Sequence, residues 1–88
     1  MSADAALVRA RKYLKTASLA FREEDDESCV SRAYYAMFYV TRALTLQKGI
    51  GAHTHSGIVN QFNLHFIKTG DLPVEMAEAL GAAFNLRQ

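Results

Sequence analysis

The sequence predicts an all-α domain, an up-and-down bundle of four to five helices, and three observations support this. Apolar residues recur every three or four positions in several separate segments, which is the period of an amphipathic helix. No Gly or Pro interrupts residues 22–48, a stretch long enough for a complete helix. Half of the 88 residues are apolar, which suffices for one modest core. We therefore expect residues 1–88 to form a single domain.

Helix one is predicted from about Asp4 to Arg22. Its apolar residues are spaced by three, four, three and four, which is typical of a helix packed in a bundle. The residues of this predicted inward stripe are Leu7, Ala10, Leu14, Ala17 and Phe21. The next steps of the same register fall on the polar residues Asp25, Ser28 and Arg32. The helix should therefore end near residues 23–26.

Helix two should begin within the acidic run 23–27, because the N-terminal end of a helix dipole favours negative charge. Asp25 or Asp26 is the predicted N-cap, and the helix should continue to about Lys48, just before Gly49. Its apolar residues cover most of its circumference, so we expect other elements on several of its sides. They are Cys29, Val30, Ala33, Tyr34, Ala36, Met37, Phe38, Val40, Ala43 and Leu44.

The remaining face of helix two carries two guanidinium groups and two phenols at a spacing of three, four and three. These residues are Arg32, Tyr35, Tyr39 and Arg42. Phenols can stack on bases while arginines hold phosphates, which favours a nucleic-acid contact. Tyr and Arg are also enriched where two proteins meet, which favours a dimer or partner interface. The sequence leaves both interpretations open.

The last third of the chain predicts two shorter helices. Helix three should cover about Ser56 to Phe66, with Ile58, Val59, Phe62 and Phe66 facing inward. After a turn at residues 69–71, Pro73 should occupy the first position of helix four, where its missing N–H costs nothing. The inward stripe of helix four is Met76, Ala77, Leu80, Ala83 and Phe84, and its next step is Arg87. No stop signal follows, so we expect the last helix to be truncated at Gln88.

Charge and composition narrow the partners and the compartment. A net charge of +1 gives no global argument for nucleic-acid or membrane binding. The single cysteine, Cys29, excludes an intrachain disulfide and favours a reducing compartment, and no apolar run is long enough for a membrane span. We therefore expect a cytoplasmic protein. His53 and His55 flank Thr54, but no Cys or carboxylate lies near them in sequence, so neither a metal nor a cofactor is expected.

Four blocks of the sequence resemble the HEPN (higher eukaryote and prokaryote nucleotide-binding) family, in its short prokaryotic branch. The blocks are Ser31-Arg32-Ala33-Tyr34-Tyr35-Ala36-Met37-Phe38-Tyr39, Thr54-His55-Ser56-Gly57, His65-Phe66-Ile67-Lys68-Thr69-Gly70 and Leu86-Arg87-Gln88. The resemblance implies a HEPN-like helical bundle that pairs into a homodimer. It also implies a partner, because members of this branch are sometimes encoded beside an MNT-type nucleotidyltransferase.

The resemblance also implies an activity, because many HEPN proteins are metal-independent endoribonucleases, often toxins of toxin–antitoxin pairs. Their signature is an Arg followed after four to six residues by a His, and Arg87 matches the Arg of that signature. Arg87 is accordingly the candidate catalytic residue, since its planar fork can contact two phosphate oxygens at once. No Arg of this sequence has a His five to seven positions later.

The resemblance thus implies a dimeric toxin–antitoxin-type component that works with a nucleotidyltransferase and acts on RNA or a nucleotide, as a metal-independent endoribonuclease. The alternative is a non-catalytic helical interaction or nucleotide-binding module. Near-neutral charge favours that alternative, because RNA-binding proteins usually present a basic face. Whether the chain is an enzyme stays open at this stage.

Overall fold

The computed structural model describes residues 1–87, without the side chain of Arg87, and all the regular secondary structure in that part of the chain is helical. The predicted all-α class is confirmed. The helices are α1 (Ala3–Arg22), α2 (Asp26–Gln47), α3 (His55–Phe62) and α4 (Val74–Arg87), and a π-helical turn, Asn63–Ile67, continues α3.

The break between α1 and α2 falls where the sequence predicts it. Glu24 adopts a left-handed conformation with φ of 59°, and the Asp25 N–H donates to the carbonyl of Ala20 at 2.9 Å. The carboxylate of Asp25 then accepts a hydrogen bond from the Ser28 N–H at 3.2 Å, so Asp25 is the N-cap of α2. The hydrogen bonds from Ser28 hold the pKa of Asp25 below its ordinary value, because they stabilise the ionised carboxylate.

Buried alanines line the contact between α1 and α2. Ala10 and Ala17 are buried as the predicted inward stripe of α1 requires, but its larger residues are not, which corrects that part of the prediction. Leu7, Leu14 and Phe21 are 39%, 59% and 70% exposed. The buried small residues of the two helices are Ala6, Ala10 and Ala17 on α1 and Ala36 and Ala43 on α2. Small side chains let two helix backbones approach closely, so the line of alanines faces α2 and the larger residues lie beside the contact.

The core lies on the opposite side of α2, where α3 and α4 pack. Its buried members are Tyr34, Phe38, Ile58 and Leu80. The expectation that α2 has neighbours on several sides is confirmed, since α1, α3 and α4 all contact it. One side nevertheless stays open, because Val40 is exposed and Cys29 is only partly buried, contrary to their predicted place on a buried stripe.

The predicted helix three is confirmed in position but not in form, because its last turn widens into the π-helix. The side chain of Lys48, just after α2, donates to the carbonyl of His65 at 3.0 Å and lies 4.2 Å from the centre of the Phe66 ring. The same ammonium lies 3.5 Å from the Asp71 carboxylate. These contacts tie the C-terminal end of α2 to the π-helical turn.

Helix α4 begins at Val74, one residue later than predicted, so Pro73 precedes the helix. Leu80 is buried and Phe84 is partly buried, as its stripe predicts, but Met76 is 42% exposed because it lies in the first turn, away from the core. No helix within residues 1–87 combines the length and apolarity needed to cross a bilayer.

Candidate functional site

Three polar side chains of α1 lie against the predicted Arg–Tyr face of α2. The α1 residues are Arg9, Lys12 and Tyr13, which occupy one side of that helix because they are three and four positions apart. Together with Arg32, Tyr35 and Tyr39 they form what we name the basic–aromatic surface. Helix α1 reaches this position because the alanine contact brings the two helix axes close together.

Tyr13 stacks on both tyrosines of the neighbouring helix. Its ring centre lies 5.6 Å from that of Tyr39 with an interplanar angle of 4°, and 5.3 Å from that of Tyr35 with an angle of 29°. Tyr35 and Tyr39 are one helical turn apart, which is the spacing that lets one ring of α1 meet both. Each such aromatic pair contributes about 0.5–1.5 kcal/mol beyond area burial, so the three rings stabilise one another as a stacked platform.

Cations surround this platform. The guanidinium of Arg9 donates to the Tyr39 hydroxyl at 3.3 Å and its Cζ lies 5.6 Å from the centre of that ring. The Cζ of Arg32 lies 5.9 Å from the centre of the Tyr13 ring. Arg9, Lys12 and Arg32 are exposed and border a depression of about 470 Å³. Among the described side chains, no carboxylate lies within ion-pair distance of these three cations.

Arg42, predicted to belong to the same face, has a separate role in the structure. Its guanidinium donates to the carbonyl of Ala52 at 2.7 Å and is partly buried. That bond holds the segment between α2 and α3 against α2. The structure therefore brings Arg32, Tyr35 and Tyr39 together and directs Arg42 to the connecting segment.

His55 joins the platform to the core. Its ring stacks on Phe38 at 4.1 Å between centres and meets Tyr35 edge-on at 6.3 Å. The neighbouring Thr54 caps α3 by accepting the Gly57 N–H at 3.0 Å, and a Cβ on Gly57 would lie 2.8 Å from that same hydroxyl oxygen. Thr54, His55 and Gly57 of the block at residues 54–57 thus each have a local structural role. Within residues 1–87, no three His, Cys, Asp or Glu side chains converge as metal ligands.

A larger groove of about 580 Å³ separates α3 from α4, with Tyr34, Asn63 and Phe84 among its lining residues. Besides Tyr34, its described polar lining consists of His55, Ser56, Asn60 and Asn63. Asn63 Oδ1 is buried without a hydrogen-bond partner among the described residues, beside this groove. We place the candidate site on the basic–aromatic surface because three exposed cations meet there.

Arg87, the candidate catalytic residue, is the last residue of α4. Its side chain lies outside the described part of the structure, as does Gln88. The assignment of Arg87 accordingly stays a prediction from the sequence.

The sequence model of the HEPN domain matches residues 3–88. The chain belongs to the HEPN family. The four sequence blocks therefore identified the family correctly, and the helical bundle is the fold they implied. The tyrosine-rich block contributes Tyr34 and Phe38 to the core and Arg32, Tyr35 and Tyr39 to the basic–aromatic surface.

Curated relatives are similar to nearly the whole HEPN chain. It is 41% identical over 80 residues to "Putative toxin MJ0142" of Methanocaldococcus jannaschii, which covers 91% of this chain and 54% of the relative. It is 40% identical over 80 residues to a UPF0332 protein of Thermotoga maritima, with 91% and 61% covered. A second M. jannaschii protein, "Putative toxin MJ0605", is 31% identical over 78 residues, with 89% and 58% covered. The chain thus spans little more than half the length of these relatives. No solved structure matches it significantly.

Reasoning from the sequence missed the contribution of α1 to the surface. Arg9, Lys12 and Tyr13 recur at helical spacing on one side of α1, and that side differs from the apolar stripe. This signal was present in the sequence, but its meaning depends on which side of α1 faces α2. Only the packing of the alanines decides that orientation.

Proposed function

We propose that this HEPN protein is the RNA-directed member of a toxin–antitoxin-type pair and that it binds RNA on the basic–aromatic surface. The observation that carries the proposal is the arrangement of Arg9, Lys12 and Arg32 around the stacked rings of Tyr13, Tyr35 and Tyr39. The toxin names of two relatives support the same class of function.

The chemistry of the surface suits single-stranded RNA. Exposed guanidinium and ammonium groups attract the phosphates, and the partly exposed tyrosines beside them can contact bases, as aromatic side chains do in proteins that bind single strands. The low net charge does not oppose this, because five of the nine acidic residues are concentrated in the run 23–27 at the α1–α2 turn. The positive charge on the basic–aromatic surface is therefore local.

Cleavage and dimerisation belong to the same proposal. Metal-independent cleavage of RNA needs a base near the ribose 2′-hydroxyl and a cation that stabilises charge on the phosphate. Arg87 would supply the cation, and a two-fold axis would place two such arginines in one cleft. The partner in the pair would be an MNT-type nucleotidyltransferase.

A second function, a non-catalytic interaction or nucleotide-binding module, is favoured by a specific feature of the same surface. The Tyr39 hydroxyl already accepts a hydrogen bond from Arg9, and Tyr13 is stacked on two rings. Side chains whose polar groups and rings already contact one another are typical of structural packing within a protein as well as of ligand binding. The module would contact a protein or a nucleotide with the exposed edges of these groups and leave RNA intact.

The deciding experiment incubates the protein with end-labelled single-stranded RNA in EDTA, next to the Arg87→Ala variant. Cleavage that persists in EDTA and disappears in the variant supports a metal-independent nuclease that uses Arg87. Intact RNA with both proteins, when circular dichroism shows that they are folded, rejects catalysis and favours the module. Sedimentation velocity of the same samples tests the homodimer, which the proposal expects at micromolar concentration.

A further inference from the structure

A line of large apolar side chains on α1 is left uncovered by the fold. Leu7, Leu14 and Phe21 are seven residues apart, so they lie on one side of the helix over about 21 Å. On α2, Val40 and Leu44 border a depression beside Leu7, and Cys29 borders another beside Phe21. We name these six residues the apolar seam. Contiguous exposed apolar surface of this kind marks an association site in soluble proteins.

Cations border the middle and one end of the seam, whereas Asp4 lies beside Leu7 at its other end. Leu14 lies in a depression of about 480 Å³ that is also lined by Arg11, Lys15 and Arg22. These three cations follow one another at four and seven positions, so they form a stripe parallel to the seam. No described carboxylate lies within ion-pair distance of them. This stripe lies on a different side of α1 from Arg9 and Lys12, so it is not part of the basic–aromatic surface.

We infer that the apolar seam binds an amphipathic α-helix of a partner protein, one with large apolar residues at heptad spacing and Asp or Glu along one flank. The seven-residue repeat on α1 matches the heptad spacing of a second helix, and Cys29, Val40 and Leu44 of α2 lie beside it. The basic stripe then fixes the chemistry of the flank, because complementary charges beside an apolar seam select the partner. The inference rests on the proposed function only in supposing that the protein works with a partner.

A second copy of the chain does not fit this description. Pairing two α1 helices antiparallel about Leu14 would bring the Arg11 and Lys15 side chains of both copies close to the two-fold axis, where like charges repel. The acidic residues of the chain also supply no long acidic flank, because Glu75 and Glu78 span only one turn of α4 and five others lie in the run 23–27. Its nine acidic residues are Asp4, the run Glu23-Glu24-Asp25-Asp26-Glu27, Asp71, Glu75 and Glu78.

The test uses two fluorescein-labelled 24-residue peptides with Leu at heptad positions a and d and Ala at positions b, c and f. One peptide carries Glu at positions e and g, and the other carries Lys there. Like charges keep each peptide from pairing with itself, and the two peptides have the same apolar face. Fluorescence anisotropy at low salt should show that the Glu peptide binds the protein at least tenfold more tightly than the Lys peptide. The combined variant Arg11→Gln, Lys15→Gln, Arg22→Gln should remove that preference.

Two further variants make the result specific to the seam. Leu14→Gln should abolish binding of the Glu peptide, whereas Val8→Gln, which changes an apolar residue of α1 that is 63% exposed and outside the seam, should leave it unchanged. Equal affinity for both peptides, or binding of neither, would overturn the inference. Self-association that Leu14→Gln abolishes in sedimentation velocity would also overturn it, because a second copy would then occupy the seam. These readouts do not involve RNA, so their failure is distinct from failure of the proposed function.

Discussion

Truncating two phenylalanines tests which side of the α1–α2 pair faces the core. Phe38 is 3% exposed and packs with Tyr34, Ile58 and Leu80, so Phe38→Ala should cost about 3–5 kcal/mol. Phe21 is 70% exposed, and full burial of such a side chain is worth up to about 3 kcal/mol, so Phe21→Ala should cost less than about 1 kcal/mol.

Urea unfolding followed by circular dichroism measures both free energies. With a slope of about 1 kcal/mol per molar urea, the unfolding midpoint should fall by about 3 M or more in Phe38→Ala. In Phe21→Ala it should fall by less than about 1 M. An 88-residue domain has a total stability of about 4–13 kcal/mol, so Phe38→Ala could fail to fold. Phe38→Leu is then the measurable substitute and should lose roughly 1 kcal/mol. Equal losses for Phe21→Ala and Phe38→Ala would refute the orientation of α1.

Further predictions concern two glycines and one helix cap. Gly81→Ala should raise stability by roughly 0.5–1 kcal/mol in thermal unfolding, because its Cβ would enter open space on a helix. Gly57→Ala should lower stability, because its Cβ would collide with the Thr54 hydroxyl. Two glycines with the same response would contradict this placement. The lowered pKa of Asp25 means that its cap is fully effective above the unfolded-state pKa and is lost as pH falls through the folded-state pKa. The stability advantage over Asp25→Asn should therefore be constant near pH 6 and shrink below about pH 4; an advantage that grows on acidification would count against the cap.

Much of the fold could be predicted because the sequence signals are local. The N-cap at Asp25 and the end of α2 before Gly49 follow from capping chemistry and from backbone freedom, which depend on a few neighbouring residues. The inward residues Ile58, Phe62 and Phe66 follow from helical period, which survives even where the last turn widens into a π-helix. The widening itself has no such local signal.

Periodicity predicted correctly that Ala10 and Ala17 face inward, but it could not fix the orientation of α1 further. Its large apolar residues at heptad spacing and its alanines both form stripes, and the hydrophobic pattern favours the larger residues. The structure shows that close approach of the two helix backbones takes precedence, so Ala10 and Ala17 face α2 and Leu14 does not. This orientation of α1 about its own axis assembles the basic–aromatic surface and exposes the apolar seam. Neither surface could be recognised from the sequence, because the sequence does not fix that orientation.

Two sets of three cations give the most direct test of the central claim, that the basic–aromatic surface contacts RNA. One variant combines Arg9→Gln, Lys12→Gln and Arg32→Gln; the other combines Arg11→Gln, Lys15→Gln and Arg22→Gln, so each loses three positive charges. Binding of a labelled single-stranded RNA is measured by anisotropy from 25 to 300 mM salt, a range chosen because each phosphate contact contributes about 0.7 to the salt slope. The claim predicts that the first variant loses affinity and about 2 units of slope, while the second binds like the unmodified protein. Equal losses in both variants, or no loss in the first, would contradict it.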